Sequence, residues 1–252
     1  MDYTKIWLPL LLSFLAGIFT VIGSLITFLI RDLKRSYLQF SLGLSAGVMI
    51  YVSFVELLTT AIRNIGAIKA NIAFFVGIIL FMLIDFFIPH QYIEERIKVG
   101  TCDKKLMKTG ILITLGIAIH NFPEGLAVFM SSLSSIRLGI VLALAIALHN
   151  IPEGLAVAMP IFYATKSKRK AFWYSFLSGF AEPIGAVIGL LILMPILTPA
   201  ILYFSLAIVA GIMVFISFDE LLPLSCEGGG YHLAISGILI GMLIMALSTI
   251  LL

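Results

Sequence analysis

Two nearly identical stretches carry the side chains most able to do chemistry. They read His120-Asn121-Phe122-Pro123-Glu124-Gly125 and His149-Asn150-Ile151-Pro152-Glu153-Gly154, 29 residues apart. On a helix, residues four apart share a face one turn apart, so each His stands beside its Glu. The Asn at the next position points about 100° away and can serve a second position beside the first. Each copy also places a proline just before the Glu. Pro123 cannot donate to the carbonyl of Ile119, nor Pro152 to that of Leu148, so acceptor oxygens are released next to the carboxylates. Glu182-Pro183 repeats the device and frees the carbonyl of Gly179. Imidazole, carboxylate and amide oxygen together suit borderline and harder divalent ions: Zn²⁺, Fe²⁺, Mn²⁺, Co²⁺ and, at the soft end, Cd²⁺.

The elements that must hold these groups are set by composition. Of 252 residues, 61% are hydrophobic and 12% are charged, and the mean hydropathy is +1.16. Ordinary soluble domains carry about 25% charged residues, so this chain cannot be a soluble core with a polar skin. Eight apolar runs of spanning length are bounded by charges or turn residues. They are Ile6–Ile30, Leu38–Ile62, Ala70–Pro89, Gly110–Ser131, Leu138–Pro160, Ala171–Pro195, Ala200–Leu222 and Tyr231–Leu252. Membrane β-strands would be about 10 residues long and alternate apolar with polar, which these do not. The first run is too long for a cleavable signal. The expectation is an all-α integral membrane protein of eight transmembrane helices, one polytopic domain over residues 1–252, in the plasma or inner membrane.

Basic residues choose the orientation. Twelve of the 16 lie in the loops after spans one, three and five: Arg31, Lys34, Arg35, then Arg96, Lys98, Lys104, Lys105, Lys108, then Lys166, Lys168, Arg169, Lys170. The other four are Lys5, Arg63, Lys69 and Arg137. The heavier side is cytoplasmic, which puts both termini outside and makes residues 90–109 a short cytoplasmic loop. Cys102 and Cys226 then sit in reducing surroundings and form neither a ligand pair nor a disulfide framework. A net charge of +3 is too small to argue for nucleic acid. The two motif copies fall on consecutive helices of opposite direction, which gives an inverted-repeat character of the kind transporters use around a midplane site.

Seven of the 13 acids lie inside the expected spans: Glu56, Asp85, Glu124, Glu153, Glu182, Asp219 and Glu220. A carboxylate at a spanning helix's centre costs about 2.5–3.5 kcal/mol, so something must offset Glu124, Glu153 and Glu182. No intramembrane Lys or Arg is available to them, which leaves cations or protons, with a bound cation the leading reading. A single membrane His or Asn is ordinarily interhelical glue; two copies plus a third Glu-Pro argue against glue here. The Gly43/Gly47, Gly185/Gly189 and Gly237/Gly241 pairs read as packing notches, and the ten methionines as core filler. Glu56 lies in the outer half of span two, where it can line the approach or be a single hydrogen-bonded carboxyl.

With HNFPEG in span four, HNIPEG in span five and AEPIG in span six, the chain resembles the ZIP (Zrt-, Irt-like) family of metal-ion transporters, most closely its ZupT-like subgroup. The resemblance covers the full chain. It implies a ZIP-like bundle and a binuclear metal centre between spans four, five and six. Carried over, His120, Glu124, His149 and Glu153 form one metal position. Asn121, Glu124, Asn150, Glu153 and Glu182 form the other, with both motif glutamates bridging. It further implies an inward exit near Asp85, His90, Asp219 and Glu220. Many members carry a histidine-rich loop between spans three and four, and this loop has none beyond His90. The expected activity is uptake of divalent metal, zinc first, with no prosthetic group. Expected partners are the metal ions, membrane lipid and, as a candidate, a second copy of the chain in a homodimer. Two rivals are an intramembrane metallohydrolase, which needs an open ligand position and a general base, and a proton-conducting channel.

Overall fold

In a bilayer every backbone N–H and C=O must be satisfied within the protein, so long apolar segments become helices. The computed structural model describes residues 6–30, 34–87, 104–193 and 198–251. Eight helices there are long and apolar enough to cross a membrane. They are α1 (Trp7–Leu29), α2 (Arg35–Ile65), α3 (Ala67–Phe87), α4 (Lys104–Ser134), α5 (Ile136–Thr165), α6 (Lys168–Leu191), α7 (Pro199–Cys226) and α8 (Tyr231–Leu251). No strand occurs among the described residues. The chain is an all-helical, multi-pass membrane protein.

Each helix matches one expected span, but several run further. Helix α4 begins at Lys104 where hydropathy expects Gly110, and α5 continues through Pro160 to Thr165. Hydropathy marks only the part that wants lipid, whereas hydrogen bonding carries the helix on into the interface. Lys104, Lys105 and Lys108, expected in a loop, therefore stand on the first turns of α4. Lys5, Arg31, Pro89, His90, Arg96, Lys98, Cys102, Pro195 and Leu252 lie outside the described residues, as does 90–103 of the expected loop.

Two links are a single residue long. Gly66 joins α2 to α3 at φ +83, where a side chain would be strained. Ser135, fully extended, joins α4 to α5. Three short stretches are π-helical: Val52–Leu58 in α2, Gly189–Leu193 across and just past the end of α6, and Ser217–Leu221 in α7. Hydropathy carries no sign of them.

Lipid supplies little drive for helices to associate, so close packing of small residues must do it. Helices α2 and α8 interlock in this way. A Cβ on Gly43 or Gly47 would meet the backbone of Ala234 or Ile238, and one on Gly237 or Gly241 would meet Phe40 or Leu44. Helices α3 and α7 do the same through Gly77 and Gly211. A buried apolar cluster that includes Leu42, Met49, Phe81, Ile113, Ile117, Met159, Ile212 and Ile216 ties α2, α3, α4, α5 and α7 together. Outward faces of α3 and α8 carry exposed Ile72, Phe75, Leu83, Leu239, Leu243 and Leu247.

One end of the bundle is basic and pinned by polar contacts. Lys168 Nζ donates to the carbonyls of Phe28 and Ile30 at 3.0 and 2.8 Å, closing the C-terminus of α1 with the start of α6. Tyr163 at the end of α5 donates to the carbonyl of Lys34, and Gln39 of α2 donates to that of Glu227 at 2.9 Å.

The α2–α8 crossing generates a stability prediction. A Gly47→Ala methyl would collide with the Ile238 carbonyl oxygen, and backbone cannot step aside as a flexible side chain can. The substitution should cost about 1–3 kcal/mol, the usual range for overpacking. Thermal unfolding of the purified protein in detergent measures it: Tm should fall by several degrees, and an unchanged Tm would mean the two helices part freely.

Candidate metal centre

Helices α4, α5 and α6 bring together the seven residues that the repeated motif and Glu182-Pro183 single out. His120, Asn121, Glu124, His149, Asn150, Glu153 and Glu182 are all at most 2% exposed. The single-residue link at Ser135 turns the chain back on itself, so the two copies of the motif face each other along antiparallel helices. Their histidines and glutamates pair crosswise. His120 Nε2 lies 3.1 Å from Glu153 Oε1, and His149 Nε2 lies 3.5 Å from Glu124 Oε2. Two ligands on a tetrahedral zinc, each about 2.0–2.2 Å from the metal, stand roughly 3.4 Å apart. Both pairs are spaced like neighbouring ligands of one ion.

The two amides are anchored in matching ways. Asn121 Nδ2 donates to the Ser178 carbonyl at 3.1 Å, and Asn150 Nδ2 donates to the Ala16 carbonyl at 2.9 Å and to Glu182 Oε1. A carbonyl can only accept, so each amide binds through its NH₂ and leaves its Oδ1 over. Several buried atoms of the group are left without hydrogen bonds. Asn121 Oδ1, Asn150 Oδ1, Glu124 Oε1, Glu153 Oε2 and Glu182 Oε2 have none, nor do Nδ1 of His120 and of His149, and Glu153 Oε1 has only the His120 ring beside it. Buried polar atoms normally find partners, and leaving charged ones without any is costly. This is a nest of acceptors with few donors in it. No group of three or more His, Cys, Asp and Glu among the described residues stands as a ready metal cage. The imidazoles and carboxylates are drawn together two at a time.

Helix α1 supplies a wall that the motifs do not reveal. Ser13 Oγ donates to the Glu182 carbonyl at 3.2 Å, Ala16 receives Asn150, and Ser175 Oγ donates to the Thr20 carbonyl at 3.0 Å. Close approach makes these contacts: a Cβ on Gly154 would run into the Thr20 carbonyl oxygen, and one on Gly23 into that of Ile151. The glycine of the other copy works likewise, with Gly125 against the Glu182 carbonyl and Gly185 against that of Phe122. From α2, Ser45 Oγ donates to the Pro152 carbonyl at 2.6 Å. A readable signal for α1 exists in the sequence. Ser13, Ala16, Gly17, Thr20, Gly23, Ser24 and Thr27 form a small, hydroxyl-bearing stripe at helical spacing, and all are buried.

The remaining residues are split between the two ends. At the basic end, Asp85 of α3 lies 3.8 Å from Lys108 Nζ of α4, while Asp219 and Glu220 sit in the π-helical stretch of α7. Asp219 and Glu220 both feel the charges of Asp85 and Lys108, and Glu220 bonds to Thr109. Glu56 lies apart, in the π-helical stretch of α2, where Thr249 of α8 donates to it at 2.8 Å. The structure thus gathers the seven motif residues in one place and the acids at 85, 219 and 220 in another.

Known proteins resemble this chain along almost its whole length. A family model described as ZIP Zinc transporter matches residues 89–249. A Zinc transporter ZupT of Clostridium perfringens is 47% identical over 278 residues, covering 99% of this chain and 98% of that protein. Zinc transporter ZupT of Chlorobium phaeovibrioides is 51% identical over 258 residues, covering 96% of this chain and 97% of that protein. The corresponding protein of Streptococcus mutans is 49% identical, with 96% of each chain covered. Near-complete coverage at about half identity, the paired motif and eight spanning helices converge on one conclusion: the chain belongs to the ZIP zinc transporter family, a family of membrane transporters and not of enzymes.

Proposed function

We propose that this protein carries Zn²⁺ into the cytoplasm through a binuclear site between α4, α5 and α6, and that Fe²⁺, Mn²⁺, Co²⁺ and Cd²⁺ are further cargo. The observation that carries the reading is the set of buried acceptor atoms on Asn121, Glu124, Asn150, Glu153 and Glu182 that have no donor. A cation satisfies several of them at once, where a water satisfies at most two. The relatives named as zinc transporters support zinc as the first cargo.

In this reading His120, Glu124, His149 and Glu153 hold one ion. Asn121, Glu124, Asn150, Glu153 and Glu182 hold the other, with Glu124 and Glu153 bridging. Reciprocal His–Glu pairing supports a local two-fold relation between α4 and α5, hence an inverted repeat. Three carboxylates against two dications leave a modest positive excess, which favours release over trapping. Glu56 lines the outer approach, and the cargo leaves past Asp85, Asp219 and Glu220, with His90 near that exit. The basic end is cytoplasmic, both termini are outside, and the segment between α3 and Lys104 is a short cytoplasmic loop in a single domain. The host is the plasma or inner membrane. Lipid lies against the outward faces of α3 and α8, and a second copy of the chain completes a homodimer.

Flux measurements on purified protein in proteoliposomes test the assignment. Glu153→Ala should abolish transport of every metal, because Glu153 serves both positions. His120→Ala and His149→Ala should lose zinc more than manganese, since imidazole suits zinc better. Glu182→Ala should lose iron and manganese while keeping some zinc flux. Losses of about 10–100-fold accompany even indirect disturbance of metal ligands, so these will be easy to read. Normal uptake by Glu153→Ala at normal folding would refute the binuclear assignment, and proportional loss of every metal in all variants would mean one undivided site.

Acid should slow zinc uptake. A free histidine titrates near 6.5, and an imidazole must be neutral to bind metal. Lowering external pH from about 7 to about 5.5 therefore lets protons compete harder with the metal for His120 and His149. Stimulation by acid in voltage-clamped vesicles would count against a site limited by its histidines.

A further inference from the structure

Lys108 reads as one of many loop cations in the sequence, yet the structure gives it a specific position. It stands on the first turns of α4, the same helix that carries His120, Asn121 and Glu124. Twelve residues separate it from His120, about 18 Å along the helix axis. Its ammonium is 3.8 Å from Asp85 Oδ1 of α3, with the two side chains 26% and 24% exposed. Asp219, exposed, and Glu220, both of α7, are close enough that each feels its charge. Glu220 is only 9% exposed, so little water is available to screen it. Three carboxylates from two helices are thus grouped around an ammonium supplied by a third.

We propose that Lys108 is a built-in counter-ion that keeps this acidic group from trapping the departing metal, and so sets the rate of release. The proposal rests on the reading that cargo leaves past Asp85, Asp219 and Glu220. Without a cation, three clustered carboxylates would hold a dication tightly and release would stall. With the lysine among them, the metal meets a smaller net negative charge and a cation that returns to the acids as it leaves. A lysine on a flexible four-carbon stem is suited to this, since its compact ammonium can swing aside and back. Lys108 is a positioning residue: it acts on the carboxylates, not on the metal. The competing description is a plain ion pair that fastens α3 to α4 at the membrane surface.

Kinetics and metal release separate the two. Lys108→Met keeps the length of the side chain and removes its charge, and Lys108→Gln provides a second neutral variant. In zinc-flux assays with proteoliposomes, Vmax and KM should both fall, by about three- to fivefold, the size of a partly exposed charge interaction. Purified Lys108→Met should also give up bound zinc to a chelator more slowly than the unaltered protein. Lys108→Arg keeps the cation and should keep the original behaviour, and Asp85→Asn combined with Lys108→Met should restore Vmax. A fall in Vmax with unchanged or higher KM, or unchanged zinc release, would overturn the proposal in favour of a plain fastening. If Asp85→Asn and Asp219→Asn change zinc flux while Lys108→Met does not, the exit route stands and the role of the lysine falls. If none of the three changes flux, the route falls and the proposal with it.

Discussion

A buried carboxylate with one oxygen left over is the interaction on which the rest of this structure turns. Glu124, Glu153 and Glu182 are buried, each has a partner in His149, His120 or Asn150, and each keeps a second oxygen that finds no hydrogen bond. Such an arrangement survives only if surrounding helices hold it rigidly. The outer side of each polar group is accordingly well secured. Both asparagine amides are fixed by backbone carbonyls of neighbouring helices, and the Glu182 backbone is fixed by Ser13. The amide donors are satisfied while carboxylate and amide oxygens are left over, which is the asymmetry a cation site needs.

Rigidity comes from backbones brought close together. Glycine at the end of each motif copy lets α4 rest on α6 and α5 rest on α1 with no side chain between them. The same residue that ends the chemical motif is therefore the hinge pin of its packing. Proline plays a complementary part. It deprives the preceding turn of a hydrogen bond without ending the helix, and α4 and α5 run on through Pro123 and Pro152.

Much of this could be read from the residues alone. Hydropathy locates all eight helices because each must match the same apolar thickness, and the repeated His-Asn-x-Pro-Glu-Gly text locates the seven grouped residues. The ends of helices are less legible, since hydrogen bonding outlasts hydropathy at an interface. That is why Lys108 reads as a loop residue when it belongs to α4. The wall formed by α1 was legible in principle, as a stripe of small and hydroxyl residues, but carries no chemical text to draw attention. The crosswise pairing of His120 with Glu153 and His149 with Glu124 was not legible, because it depends on how two antiparallel helices are set against each other.

The π-helical stretches in α2 and α7 have a consequence for how this fold can change over time. Each such stretch is a helix that has absorbed one surplus residue, rotating the remainder of the helix by roughly a quarter of a turn. In most membrane helices a gain or loss of one residue is ruinous, because it rotates every later side chain into the wrong surroundings. Here the surplus sits at Val52–Leu58 and Ser217–Leu221, the segments that carry Glu56, Asp219 and Glu220. These three acids outside the central site therefore stand on turns of altered pitch, where the helix aims its side chains differently from a regular α-helix. A change of one residue in length at these stretches, rather than substitution alone, re-aims these carboxylates while His120, Glu124, His149 and Glu153 stay where they are.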